Sequence, residues 1–298
     1  MTLLAVAPAQ NLIQFTPATA PTPTEQIISL WLHGKSKNTV TLYRRVSGLL
    51  LAATAKPLQS HSLQDFQDFA DILESRGLAL SSQRTYISVV KSLFGFAQKT
   101  GLISINAAVA LTAPKSKDTL SQKILTETAV AGMIAKEASP RNRLILKMLY
   151  FAGLRVSELC GLNWEDLTAN GDSGQLLVFG KGNKTRVVLL PQNLYRELAD
   201  SRQDTSDSDP IFISRKASNG GRLHRATVTQ LVKDAAIAAG QTAKTSAHWL
   251  RHCHASHSLD RGAPIHLLAA TLGHSSIATT TKYLHAKPND SSALYLAG

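Results

Sequence analysis

The strongest constraint on this 298-residue chain is a change of pattern across one polar stretch, APKSKDTLSQK (113–123). Before it, apolar residues recur only at helical spacing. After it, helical runs are broken by a pair of β-rich runs. Ser36 caps a helix through KNTVTLYRRVSGLLLAAT, with Val40, Tyr43, Val46 and Leu50 on one face. Ser62 with Asp65 has the spacing of a capping box and opens a second helix, closed by Gly77; Ser81 opens a third, closed by Gly101. Amphipathic helices joined by short connections bury their apolar stripes against one another, which predicts a small antiparallel bundle over residues 25–112.

Beyond the polar stretch, Thr126 starts a helix, and PRNRLILKMLYFAGLRVSELCGL reads as a helix, a turn and a further helix. GQLLVFGKGNKTRVVLL holds two β-rich runs about a Gly-Lys-Gly-Asn-Lys turn, a hairpin pattern. Asp200 to Pro210 is a charged, Ser-rich loop, and IFIS is a short-strand candidate. Three helical segments follow, around 224–239, 246–261 and 264–284, broken at Gly262–Pro264 and Gly273. The expected fold is mainly α with a small β-sheet. Its parts are an arm (1–24), a helical domain (25–112), a linker (113–123) and an α+β domain with a C-terminal tail (124–298).

Charge and cysteine content narrow the partner. The chain has 32 Lys and Arg against 20 Asp and Glu, a formal charge of +12. Both sides of the linker share the surplus: 11 basic against 6 acidic residues before residue 119, and 21 against 14 after it. Such a surplus favours a polyanion, because each phosphate neutralised by Lys or Arg releases condensed counterions. The first residues are apolar and uncharged up to Glu25, but they lack a basic start and are interrupted by Pro8, Pro17, Pro21 and Pro23, so they read as a flexible arm rather than a signal peptide or a membrane span. Two cysteines in unlike contexts, Cys160 and Cys253, argue against a disulfide scaffold and for a reducing compartment, hence a cytoplasmic protein.

The polar residues of the second domain form an ordered pattern: Arg155 in GLRVSEL, Lys181 in GKGNK, His248 and Arg251 in HWLRH, His274 in LGHSS and Tyr283 in TTKYLH. With the Leu-Arg-x-Ser-Glu-Leu-x-x-Leu-x-Trp segment, this order and spacing resembles the catalytic domain of the tyrosine recombinase (phage integrase) family, in its Xer-like or integrase-like form. The first domain is similar to the family's SAM-like core-binding bundle, through SKNTVTLYRR and the AAVALTAPK exit into the linker.

The resemblance implies cleavage and rejoining of double-stranded DNA through a covalent 3′-phosphotyrosine, with no metal and no nucleotide cofactor. Two guanidiniums suit a pentavalent phosphorane, whose non-bridging oxygens take bidentate, charge-assisted bonds; by the family pattern these are Arg155 and Arg251. Tyr283 is the implied nucleophile and His248 the candidate for its proton. Lys181, at the hairpin tip, matches the lysine that protonates the departing 5′ oxygen, with Lys184 as its rival, and His274 matches the position that hydrogen-bonds the phosphate. The family also implies four protomers on paired sites, with itself or a second recombinase, and a tail after Tyr283 that docks on a neighbouring protomer. A small hydroxyl residue is usual in the family where Cys253 stands.

Other readings of the same residues stay open at this point. Arg155 is three residues from Glu158 and suits a buried ion pair. His248/His252 and Cys253/His257 fall at i,i+4, a zinc-chelating spacing, but there is no His-Glu-x-x-His arrangement and no second ligand cluster, so no metal site is expected. On the first domain Lys35, Lys37, Arg44 and Arg45 mark one basic helix, and Arg84 and Lys91 share a face of another; these are the candidate DNA contacts. A type IB topoisomerase would share the tyrosine chemistry without site preference. A DNA-binding relative without catalysis would bind and form no adduct.

Overall fold

The computed structural model describes residues 22–115, 119–180, 184–214 and 221–284. The chain divides into two compact units, one up to residue 117 and one from residue 118.

The first unit is helical. α1 (Pro23–Leu32) opens with a capping box in which Thr22 and Glu25 bond each other's backbone N–H, with Pro23 at the first helical position. This helix lies in a segment that sequence patterning left unassigned, and it begins two residues inside the expected arm; the rest of the arm, 1–21, lies outside the described residues. α2 (Lys37–Thr54) is capped by Ser36 and ends at Ala55, which takes a left-handed conformation with φ 51°. α3 (Leu63–Ser75) carries the expected Ser62–Asp65 capping box. α4 (Leu80–Lys99) starts earlier than expected: its N-cap is Ala79, without a side-chain cap bond, so Ser81 is a residue of the first turn. Trp31, Val46, Leu50, Phe66, Phe69, Leu93 and Phe94 are among the residues of one core.

The second unit packs helices on one another, with a small sheet against two of them. α5 (Glu127–Lys136) is capped by Thr126 and α6 (Pro140–Phe151) by Ser139. A single turn, α7 (Val156–Leu159), follows. The expected hairpin is present as β2 (Ser173–Phe179) antiparallel to β3 (Thr185–Leu190), and β1 (Leu167–Asn170), which patterning did not identify, pairs with β2. The sheet order is β1-β2-β3. α8 (Gln192–Asp200), α9 (Arg225–Ala238), α10 (Ala247–Asp260), α11 (Ile265–Leu272) and the single turn α12 (Ala278–Thr281) complete the unit. The IFIS segment forms no named strand: Ile213 makes an isolated bridge with Arg222, and Pro210 just before the segment makes one with Asn163. The Pro264 and Gly273 breaks end up as the N-cap and C-cap of α11, which separates the last expected helical segment into α11 and α12.

The core of this unit contains α6, the inner faces of β2 and β3, α9 and the buried side of α10. α6 and α10 are thereby held side by side, and the end of α11 lies against β3. These contacts bring residues 155, 158, 186, 251 and 272 to one place.

Candidate active site

The centre of the site is a carboxylate. Glu158 is 6% exposed and sits in the single turn of α7, reached by three guanidiniums. Arg155 at the N-cap of that turn donates to it twice, from its backbone N–H at 2.8 Å and from Nη1 at 2.7 Å. Arg186, on β3, grips it with both terminal nitrogens at 2.9 and 2.8 Å, and its Nε donates to the Thr271 carbonyl at the end of α11. Arg251 places Nη1 4.0 Å away. Burial alone would raise the Glu158 carboxyl; the bonds from Arg186 and Arg155 outweigh it and hold the pKa at about 2. One negative charge among three positive ones leaves a net positive centre, which is what an anionic ligand requires. The ion-pair reading of Arg155 is therefore correct, and it coexists with convergence on the other candidates. The Arg155 side chain remains 35% exposed, with donors left over.

Arg251 is built into the floor. It is 1% exposed, and donates from Nη1 to the Gly153 carbonyl at 2.6 Å and from Nη2 to the Leu272 carbonyl. Burial and the nearby Arg155 lower its pKa to about 10, which leaves it a cation at neutral pH. Two glycines make this possible. Gly153 has φ 59°, and a Cβ there would meet the His254 ring at 2.8 Å and Leu272 at 3.0 Å. Gly273 has φ 62° and caps α11, where a Cβ would press on the Arg186 side chain at 3.1 Å.

His274 follows Gly273 and pairs Nδ1 with Thr280 Oγ1 at 2.9 Å. Burial first, then Arg251, Arg155 and Arg186, bring its pKa down to about 4. His248 is lowered by burial and by Arg251, Arg155 and Lys123. Tyr283 is 7% exposed and packs with Ala255, Leu268 and Leu272. Burial raises its phenol pKa, while Arg251 and Arg155 pull it back. The group bonded to the phenol oxygen is His252, through Nδ1 at 2.8 Å, and among the described residues His248 makes no hydrogen bond with it. His248 instead lies edge to face on His252, ring centroids 4.2 Å apart.

The structure thus assembles Arg155, His248, Arg251, His274 and Tyr283. Lys181 lies outside the described residues, as does the tail beyond residue 284. Lys184 is exposed just before β3, and its carbonyl accepts the Gly180 N–H at 2.8 Å. Sequence reasoning missed Arg186, which carries no motif, and weighed His252 only as a zinc ligand. Cys253 and His257 are instead engaged with the backbone of Leu125, and among the described residues no cluster of three or more His, Cys, Asp or Glu is arranged to hold a metal.

On the first unit, Lys37, Arg44 and Arg45 are exposed on α2, and Arg84 and Ser88 on α4. Lys35 lies before the Ser36 cap and so is not part of that helix; its ammonium sits 5.6 Å from the centre of the Tyr43 ring. Lys91, half-buried on α4, donates to the Val109 carbonyl at 3.1 Å, which occupies one of its protons.

The model of the phage integrase family matches residues 122–290. The chain is 36% identical to tyrosine recombinase XerA of Pyrococcus furiosus over 260 residues, covering 85% of each chain. It is 32% identical to tyrosine recombinase XerC of Xanthomonas axonopodis pv. citri over 269 residues, covering 84% of this chain and 87% of the relative. Two solved structures share the fold. One is the XerH site-specific recombinase bound to its difH substrate, with a TM-score of 0.70 at 21% identity, covering 92% of this chain and 83% of that one. The other is a lambda integrase dimer bound to a COC′ core site, with a TM-score of 0.71 at 19% identity, covering 90% and 77%.

Proposed function

The chain belongs to the phage integrase family and is a tyrosine recombinase, and from that premise we propose that it cleaves and rejoins DNA with Tyr283 as nucleophile and Arg155 and Arg251 as the phosphate clamp. The observation that carries this reading is the convergence of Arg155, Arg186 and Arg251 on one buried carboxylate, with Tyr283 at the same centre. A scissile phosphate would meet fixed cations there. Because Glu158, Gly153 and Leu272 already hold the guanidiniums, little reorganisation is needed when charge develops on the non-bridging oxygens.

The phenol attacks phosphorus and the 5′ oxygen leaves, taking a proton from a lysine of the β2–β3 turn, Lys181 or Lys184. The enzyme keeps a 3′-phosphotyrosyl ester. That ester retains the bond energy, so a second 5′ hydroxyl can reverse the step on another strand without a nucleotide. His274, held by Thr280, supplies a further donor toward the phosphate. The first unit supplies backbone contacts to the duplex through Lys35, Lys37, Arg44, Arg45, Arg84 and Lys91. The enzyme works in the cytoplasm as an oligomer on paired sites, a reading supported by the DNA complexes of the structural relatives; among the described residues no helix is long and apolar enough to cross a membrane.

The test incubates the protein with a nicked duplex carrying its selected site, in excess chelator, and then denatures it. A covalent protein–DNA adduct that Tyr283→Phe abolishes is expected. Tight binding with no adduct on the nicked site overturns the catalytic reading, and site-independent relaxation of any supercoiled plasmid points to topoisomerase action instead.

A further inference from the structure

The histidine that the family pattern offers for the Tyr283 proton is not the one that touches it. The phenol oxygen lies 2.8 Å from Nδ1 of His252. His248 and His252 are one turn apart on the same face of α10, and only the second reaches far enough along the helix to meet the segment after α12 that carries Tyr283. We propose that His252 is the catalytic base that accepts the Tyr283 proton, leaving His248 to the phosphate side of the site. The proposal rests on the reading of Tyr283 as the nucleophile.

In the tautomer that carries its proton on Nε2, His252 accepts the bond donated by the phenol O–H. As the phenol oxygen bonds to phosphorus, its O–H bond breaks, the proton passes to Nδ1 and His252 becomes an imidazolium. The P–O5′ bond breaks in the same displacement, and the departing oxygen takes its proton from a separate acid, the hairpin lysine. On rejoining, the imidazolium returns the proton to the phenoxide that leaves phosphorus.

The groups that face His252 are His248 and Arg251 on its own helix, Lys123 from the turn before α5, His274 after α11, and Tyr283 itself. Burial first, then these charges, keep its pKa at about 4, so the ring is neutral and free to accept throughout the ordinary pH range. A base that weak does not strip a phenol beforehand. Transfer accompanies formation of the P–O bond, as the phenol oxygen loses its own basicity. An incoming phosphate also places negative charge beside Arg155 and Arg251, and so offsets the field that suppresses the imidazole.

The experiment measures single-turnover cleavage by the full-length protein on two nicked duplexes. One has an ordinary bridging oxygen; the other has sulfur at the 5′ bridging position, which leaves as a thiolate without an acid. His252→Asn keeps an acceptor near the Nδ1 position and cannot take the proton; His252→Gln is the second variant should the first not fold. Wild type is expected to have a flat rate between about pH 6 and 9, whereas H252N is slowed by about 10²–10⁴-fold at neutral pH and regains about tenfold per pH unit as hydroxide replaces the base. The same slowing is expected on the sulfur substrate, with DNA affinity retained, and His248→Asn keeps the flat profile whatever its rate. An H252N or H252Q enzyme with a flat profile and a rate within about threefold of wild type overturns the assignment. So does a defect that sulfur abolishes, which would assign His252 to the leaving group. No adduct from wild type on either duplex would instead defeat the reading of Tyr283, and a wild-type adduct that survives Tyr283→Phe would do the same.

Discussion

Replacing Glu158 by Gln removes the one anion that three guanidiniums share, with almost no change in shape. The carboxyl is held at about 2 instead of its ordinary 4.5, which corresponds to roughly 3 kcal/mol of preference for the anion in the folded state. An independent estimate agrees: removing one partner of a buried pair typically costs about 3–5 kcal/mol, because the other charges stay buried without compensation. Gln also turns an N–H₂ toward one of the Arg186 donors that now bond Oε1 and Oε2. The depressed pKa sets the sign with pH. The stabilisation is complete above pH 4.5, the unfolded value, and is lost as pH falls toward about 2. Urea unfolding at several pH values, read by hydrogen exchange of the α6 and α10 peptides, is expected to show E158Q less stable by about 3 kcal/mol at pH 7, with the gap closing as pH drops below 4.5. Cleavage is expected to fall by about 10²–10³-fold, as when a preorganised transition-state donor is lost, since Arg155 and Arg186 lose their anchor. A difference below about 1 kcal/mol that does not vary with pH would refute the shared-carboxylate account.

The remaining predictions concern backbone, histidines and DNA. Gly153→Ala combines a left-handed φ with a 2.8 Å approach to His254, and moves the carbonyl that holds Arg251; we expect a loss of about 2 kcal/mol or more in unfolding and cleavage reduced beyond what that loss explains. Ala55→Gly relieves a left-handed alanine at the end of α2 and is expected to stabilise the first unit by about 1 kcal/mol, measured by hydrogen exchange of α2 amides. His252, His254 and His274 are each lowered to about 4, chiefly by burial. Their contribution is therefore complete above their unfolded value near 6.5 and is lost as pH falls toward 4; His61 and His248 are lowered in the same direction, so potentiometric titration should find at least about three more protons bound by the unfolded chain near pH 5. Arg84→Ala with Lys91→Ala is expected to weaken DNA binding and to reduce the slope of log K against log salt by about 2, with Lys91 exchanging the Val109 carbonyl for a phosphate; an unchanged slope removes α4 from the interface.

The capped helices were legible because their signals are local. Ser36, Ser62 and Thr126 cap as their sequence context requires, since a side-chain oxygen within three residues of an orphan N–H needs no tertiary information. α1 escaped because the proline-interrupted sequence before it reads as a flexible arm, although Pro23 is a helix-starting proline. β1 escaped because Leu167–Asn170 is only four residues long and includes the poor strand formers Ala169 and Asn170, so it is a strand by virtue of pairing with β2. In the site, motif spacing singled out Arg155, Arg251 and Tyr283, which the fold brings close together. It could not find Arg186, whose role comes from the β2–β3 register that brings it against α7 and the end of α11. The pattern also gave the Tyr283 proton to His248 alone, although helical spacing puts His252 on the same face and the segment after α12 brings the phenol to His252.

The most direct test of the account is to trap the adduct on a nicked site, trim the DNA with nuclease, and determine by mass spectrometry which residue bears the nucleotide. A peptide containing Tyr283 that carries the 3′ phosphate of the cleaved strand is expected. A nucleotide on any other residue, or a 5′ linkage, would contradict it.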